Sequence, residues 1–163
     1  MPILDITPEL VREYLDYDQE TGFFTRLKSR HFAKIGTRPE SLMANGYFCI
    51  SLGGANHYAH RLAFMWKLGR WPIKGVDHMN AVRTDNRWAN LREADQALNM
   101  QNRREPSTNN THGFLGVRRN RNRWAACIGV GKARIYLGTF DTPEEAHAAY
   151  LTGKRLLHPG NTL

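Results

Sequence analysis

Apolar residues Leu10, Val11, Tyr14 and Leu15 recur at helical spacing behind Thr7-Pro8, which predicts a short helix capped by Thr7 with Pro8 in its first position. The polar run Asp18-Gln19-Glu20-Thr21-Gly22 reads as a turn, and residues 23–27 as the strand that follows it. Asn45-Gly46 leads into a strand at residues 47–52, which Gly53-Gly54 turns back into residues 57–59 as a hairpin. Leu62, Ala63, Phe64, Trp66 and Leu68 predict a helix from His60 that ends near Gly69 and Pro72. Residues 76–102 then become dense in polar side chains. They read as a strand ending in Asp77-His78, a loop, a short strand at Leu91-Arg92 and a helix capped by Asp95. Residues 103–112 (RREPSTNNTH) are polar, lack apolar periodicity and read as a linker. Residues 116–117, 124–130 and 133–137 read as three short strands. Thr142-Pro143-Glu144-Glu145 opens a helix to about Leu157, with Thr142 and Glu145 forming a capping box. The expected fold class is α+β, with a domain over residues 1–102, a linker over 103–112 and a second domain over 113–163.

Composition narrows the classes of function. At 41% hydrophobic residues the chain of 163 residues can build a packed core. No apolar run approaches the roughly 18–20 residues needed to span a bilayer, so no membrane partner is expected. The N-terminus carries Asp5 and Glu9 and no positive charge before its apolar residues, which does not read as a secretory signal. Cys49 and Cys127 are the only cysteines and form no C-x-x-C pair, so neither a disulfide framework nor a zinc knuckle is supported. A cytoplasmic, reducing setting is the expectation. Net charge is +8 and the pI about 9.9, which favours an anionic partner. The charge is uneven: residues 1–102 carry 13 Lys/Arg against 11 Asp/Glu, and residues 103–163 carry 10 against 4. The excess therefore sits mainly in the second domain, as in a separate nucleic-acid-binding module.

Asp77, His78, Asn80, Asp85, Asn86, Asn90 and Asn99 concentrate groups able to bind a cation or move a proton. Phosphodiester cleavage needs a base to activate water, a hard cation and oxygen ligands for that cation. A histidine titrating near neutrality suits the first role, while a carboxylate and an amide oxygen suit Mg²⁺. Neighbours on an extended strand point to opposite faces, so Asp77 and His78 can serve one site only if the strand ends there. The same residues also fit a turn with a surface histidine, with Asn86, Asn90 and Asn99 as turn and capping residues. The residues by themselves leave both readings open.

The ordered pattern His60-Arg61-Leu62-Ala63, Val76-Asp77-His78, Asp85-Asn86-Arg87, Asn90-Leu91-Arg92 and Asn99 resembles the HNH nucleases, in particular the homing endonucleases of phages and introns. The resemblance covers residues 58–103 and implies a ββα-metal nuclease fold. It makes His78 the general base and Asp77 and Asn99 the ligands of one divalent cation per active site. Asn90 would brace the loop and orient the histidine. Asn99 stands where some relatives carry a final histidine, which favours Mg²⁺ or Mn²⁺ over zinc. Asn102 competes for that ligand role. His60 has two readings, packing and capping of the preceding helix or contact with substrate.

Gly116-Val117-Arg118, Trp124-Ala125-Ala126, residues 136–140 (YLGTF) and Glu144-Glu145-Ala146 resemble the Apetala/ethylene-response-factor DNA-binding domain. That resemblance spans residues 113–158 and implies a three-stranded antiparallel sheet laid in the major groove and backed by one helix. Arg118, Arg121, Arg123, Trp124, Arg134 and Tyr136 become candidate DNA contacts, arginine being suited to phosphate and to guanine edges. Trp124 also fits a core position. Gly129 replaces a residue that is usually arginine in the plant proteins, and the turn over residues 119–123 is shorter, so base specificity does not carry over.

Two modules of this kind imply a site-directed endonuclease acting on double-stranded DNA. A monomer would cut one strand, and a dimer is the alternative route to both. Competing readings are a DNA-binding regulator with an inert ββα segment and an RNA-binding protein, since six Lys/Arg without an acid over residues 118–134 do not discriminate nucleic acids. Arg26, Lys28, Arg30, Lys34 and Arg38 read equally as phosphate contacts or as a solvated face.

Overall fold

The computed structural model describes residues 5–28, 34–107 and 109–161; Arg30 lies outside the described residues. Among the described residues, four α-helices and several small sheets make a mixed α/β fold, and the chain divides into two compact units, Met1–Ala94 and Asp95–Leu163.

In the first unit, helix α1 (Pro8–Tyr14) starts where Thr7 Oγ1 accepts the Leu10 N–H at 3.2 Å. It stops one residue earlier than its apolar spacing predicts. Leu15 has φ −138° and opens strand β1 (Leu15–Tyr17), whose residues alternate buried, exposed, buried. That alternation sends both Leu15 and Tyr17 inward, which a continued helix would not do. Strand β2 (Phe24–Arg26) pairs antiparallel with it, Tyr17 opposite Phe24.

Strands β3 (Ser41–Leu42), β4 (Phe48–Leu52) and β5 (Ala55–Tyr58) form an antiparallel sheet in that order. Helix α2 (Ala59–Leu68) follows directly and ends at Gly69, whose left-handed φ of 69° lets its N–H reach the Met65 carbonyl. Val11, Leu15, Phe24, Ile50 and Leu62 are fully buried together in this core. Each such side chain contributes roughly 1.5–3 kcal/mol relative to exposure. Strands β6 (Gly75–His78) and β7 (Leu91–Ala94) pair antiparallel, with a 3₁₀ turn at Trp88–Asn90 closing the long loop between them.

The second unit begins with helix α3 (Gln96–Asn102), capped by Asp95, whose side chain accepts the Leu98 N–H at 2.9 Å. Lys154 Nζ donates to the Arg103 carbonyl, and the Gly160 N–H to Gln101 Oε1 at 2.9 Å, so α3 is tied to the end of its own unit. Strands β8 (Val117–Asn120), β9 (Arg123–Val130) and β10 (Ala133–Phe140) form an antiparallel sheet with β9 central. Helix α4 (Pro143–Leu157) carries the complete Thr142/Glu145 capping box. Its Ala146 and Tyr150 share a core with Val117, Ala126 and Ile128.

Candidate active site around Asp77 and His78

Strand β6 ends at His78, whose carbonyl already accepts the Ala81 N–H of the following turn at 2.8 Å. Ala81 takes φ +62°, a left-handed conformation rare outside glycine, and so bends the chain away at once. Asp77 and His78 are both buried, at 8% and 4% exposure, which excludes a solvated turn with a surface histidine.

Their partners differ. Asp77 lies opposite Arg92 in the β6–β7 ladder, and Arg92 Nε and one terminal nitrogen reach its Oδ2 at 2.8 and 2.7 Å. The His78 ring donates from Nε2 to Asn86 Oδ1 at 3.0 Å. An amide oxygen only accepts, so this bond places the neutral ring's proton on Nε2 and makes Nδ1 the basic nitrogen. Burial lowers the affinity of His78 for a second proton; the Asn86 bond and the negative charges of Asp77 and Asp85 oppose that shift.

The loop between the strands is closed by Asn90, which is 8% exposed. Its Oδ1 accepts the Asn80 N–H at 2.9 Å and its Nδ2 donates to the Asp85 carbonyl at 2.7 Å. Asn80 Nδ2 donates to Asp85 Oδ2 at 2.6 Å, and Arg87 Nε to Asp85 Oδ1 at 2.8 Å. These bonds hold the Asp85 carboxyl down at a pKa of about 2, Arg87 contributing most. The two jobs expected of Asn90 are thus divided: Asn90 braces the loop and Asn86 bonds the ring.

His60 forms the wall beside His78. Its ring stands edge-on to the His78 ring at 5.2 Å and 86°, stacked on Tyr58 at 5.3 Å and packed against Tyr47 at 5.2 Å. Burial, with His78 and Arg61 adding to it, lowers its pKa to about 3, so it is neutral at physiological pH. Sequence reasoning placed His60 on the helix or on substrate and did not anticipate this contact. Nor did it anticipate the Asn86 bond, whose only sequence signal was the Asp85-Asn86-Arg87 element of the ordered pattern.

Asn99 lies on α3 in the second unit, where its Oδ1 is buried without a hydrogen-bond partner. Its neighbour Asn102 is 3% exposed. Among the described residues, no three His, Cys, Asp or Glu side chains cluster so as to hold a metal. The expected donors, one carboxylate and one amide, are hard oxygens. They fit an ion such as Mg²⁺ that takes the rest of its shell from water and phosphate. The orphaned Asn99 oxygen is the kind of acceptor such an ion satisfies.

In the second unit, register and alternation sort the candidate contacts. Ala126 and Ile128 point to α4, so Ala125, Cys127 and Gly129 point away from it. Arg118 pairs with Ala125, Arg134 with Gly129 and Tyr136 with Cys127, and Arg123 shares that outer face. Arg123 also pairs with Asp141 at 2.8 Å. Arg121 occupies the β8–β9 turn at φ +53°. Trp124 packs against the core on the helix side, beneath the Arg119 guanidinium at 4.9 Å.

Residues 57–101 match the HNH endonuclease family. Over 62 residues the chain is 47% identical to the ethylene-responsive transcription factor ERN1 of Medicago truncatula, a match covering 36% of this chain and 23% of that protein. Over 50 residues it is 50% identical to the ethylene-responsive transcription factor ERF084 of Arabidopsis thaliana, covering 29% and 20%. The chain thus spans less than a quarter of the length of these curated relatives. No solved structure matches. The segment over residues 57–101 is thus similar to the HNH endonucleases. The chain also holds a segment similar to the ethylene-responsive transcription factors.

Proposed function

We propose that the chain is a site-directed, homing-type DNA endonuclease, with a ββα-metal site at β6–β7 and an outer sheet face that holds duplex DNA. The observation that carries this reading is the buried His78 ring, bonded through Nε2 so that Nδ1 is the base, at the end of a strand inside the HNH-matched segment. In this mechanism His78 Nδ1 takes the proton of an attacking water, and Asn90 keeps the loop from shifting under the phosphate. Asp77 and Asn99, or Asn102 in place of Asn99, are the proposed oxygen ligands of one Mg²⁺ or Mn²⁺ ion. When bound, that ion neutralises charge developing on the phosphate and the leaving oxygen. Arg118, Arg121, Arg123, Arg134 and Tyr136 are the proposed DNA contacts, with Trp124 supporting them from the core side. A monomer carries one such site and would nick.

Supercoiled plasmid incubated with Mg²⁺, Mn²⁺ or EDTA tests the reading. Nicking is expected with either ion and none with EDTA, and His78→Ala should lower the rate about 100-fold or more while DNA binding persists. The likeness to transcription factors favours a second reading, a non-catalytic DNA-binding regulator. Tight binding with no nicking under any ion would establish that one instead.

A further inference from the structure

Residues 15–26 hold no group that the proposed chemistry uses, yet they converge on the loop behind His78. The Tyr17 hydroxyl donates to the Asn86 carbonyl at 2.6 Å in a buried bond. Its ring is fixed between Phe24 at 4.8 Å and Trp66 at 5.8 Å. The Trp88 N–H donates to the Gln19 carbonyl at 3.0 Å. Gly22, at φ +76°, lies so close that a Cβ would come within 2.3 Å of Arg87 N and 2.4 Å of the Asn86 carbonyl carbon. Backbone rather than flexible side chain stands in the way, so only glycine fits. Asn86, pinned from this side, is 2% exposed and spends its Oδ1 on His78.

We propose that Asn86 is the positioning residue for His78, and that the β1–β2 hairpin serves to hold it there. The inference rests on the reading of His78 as the general base. Two independent contacts, the Tyr17 bond and the Gly22 approach, fix the Asn86 main chain. Its side-chain oxygen then fixes both the tilt of the ring and which nitrogen carries the proton. Asn90 does not share this task, because both ends of its amide are committed to Asn80 and Asp85. A hairpin that served only packing would need neither the hydroxyl of Tyr17 nor an amide at position 86.

The test reads the ring directly, in the full chain labelled with ¹⁵N-histidine and free of divalent ions, at one fixed pH; the His78 signals are assigned by their loss in His78→Ala. The ring ¹⁵N shifts should show the Nε2–H tautomer in the unaltered chain and in Asn86→Asp, whose carboxylate accepts the same bond. Asn86→Leu should give a mixture of tautomers, with kcat for plasmid nicking down roughly 10–100-fold and KM changed by less than about 3-fold, the pattern of a misplaced group. Tyr17→Phe, which conserves volume and removes only the hydroxyl, should move both readouts in the same direction by about 3–10-fold in kcat. A folded Tyr17→Phe chain with unaltered tautomer and kcat overturns the role of the hairpin, even where Asn86→Leu does not fold. An Asn86→Leu chain that folds with the Nε2–H tautomer intact overturns the role of Asn86. Tautomer loss in the variants of a chain that nicks nothing supports the positioning role and removes the nuclease reading, so the two failures are distinct.

Discussion

The Asp77 carboxylate and the Arg92 guanidinium face each other across the β6–β7 ladder, and both nearer nitrogens of Arg92 converge on the single oxygen Oδ2. The pair is largely buried, with side-chain exposures of 10% and 25%. Deleting one member of such a pair leaves a charge without compensation and costs several kcal/mol when burial is complete; partial exposure here reduces that to about 2 kcal/mol. Arg92→Met should therefore lower the melting temperature in EDTA by several degrees. A cation on Asp77 would replace the missing positive charge. Added Mg²⁺ or Mn²⁺ should then recover more of the melting temperature in the variant than it adds to the unaltered chain. Equal ion-dependent increments in both would remove Asp77 from the ligand set.

Asn90 satisfies two main-chain groups, the Asn80 N–H and the Asp85 carbonyl, that no regular structure reaches. Asn90→Ala leaves both without that partner, at a cost of about 1–3 kcal/mol. Asn90→Asp keeps the acceptor for Asn80 but sets a carboxylate against the Asp85 carbonyl, so it should not restore stability. Chemical denaturation read on the full chain checks this. An alanine variant with an unchanged midpoint would show that the loop is held by other bonds.

Local chemistry made much of this fold legible. Thr7, Asp95 and Thr142 cap helices as their spacing predicts, and Gly69 ends α2. Asp77-His78 at a strand end could be read from the polar loop that follows. What could not be read is contact between segments far apart in sequence. Tyr17 and Asn86 are 69 residues apart, and nothing around either records the other. Strand β1 is three residues long, below the length at which alternation separates a strand from the tail of a helix. Asn86 sits in a stretch whose composition marks a turn, and that mark is the same whether the side chain bonds its own loop or a distant ring.

The His60 ring is neutral in the fold, with a pKa near 3 against the ordinary value of 6.5. Between those values the unfolded chain binds a proton that the folded one refuses. The stability of the first unit should thus be complete above about pH 6.5 and fall as the pH drops toward 3. His78, in edge contact with it, is shifted the same way by burial, and Arg61 adds positive charge to His60. His60→Leu should consequently flatten the decline between pH 6.5 and 4.5 without abolishing it. Denaturation midpoints at several pH values measure the slope. A variant as acid-sensitive as the unaltered chain would show that His60 is not the group responsible.

The outer face of the β8–β9–β10 sheet offers a test by addition as well as by removal. Arg118 and Arg134 stand opposite Ala125 and Gly129, small residues that leave room on that face. A Cβ on Gly129 would meet only the Ala133 carbonyl oxygen, at 4.0 Å, and the backbone there has no left-handed φ. Arginine is thus sterically admissible at this position. If this face meets the phosphate backbone, each arginine gained or lost changes the number of counterions released. Arg118→Gln and Arg134→Gln should each reduce the slope of log affinity against log salt by about 0.9, and Gly129→Arg should steepen it by a similar amount. Binding to a duplex titrated from low to moderate salt gives the three slopes. Slopes that match the unaltered chain in all three variants would move the DNA contact away from this face, whereas opposite signs for removal and addition would fix it there.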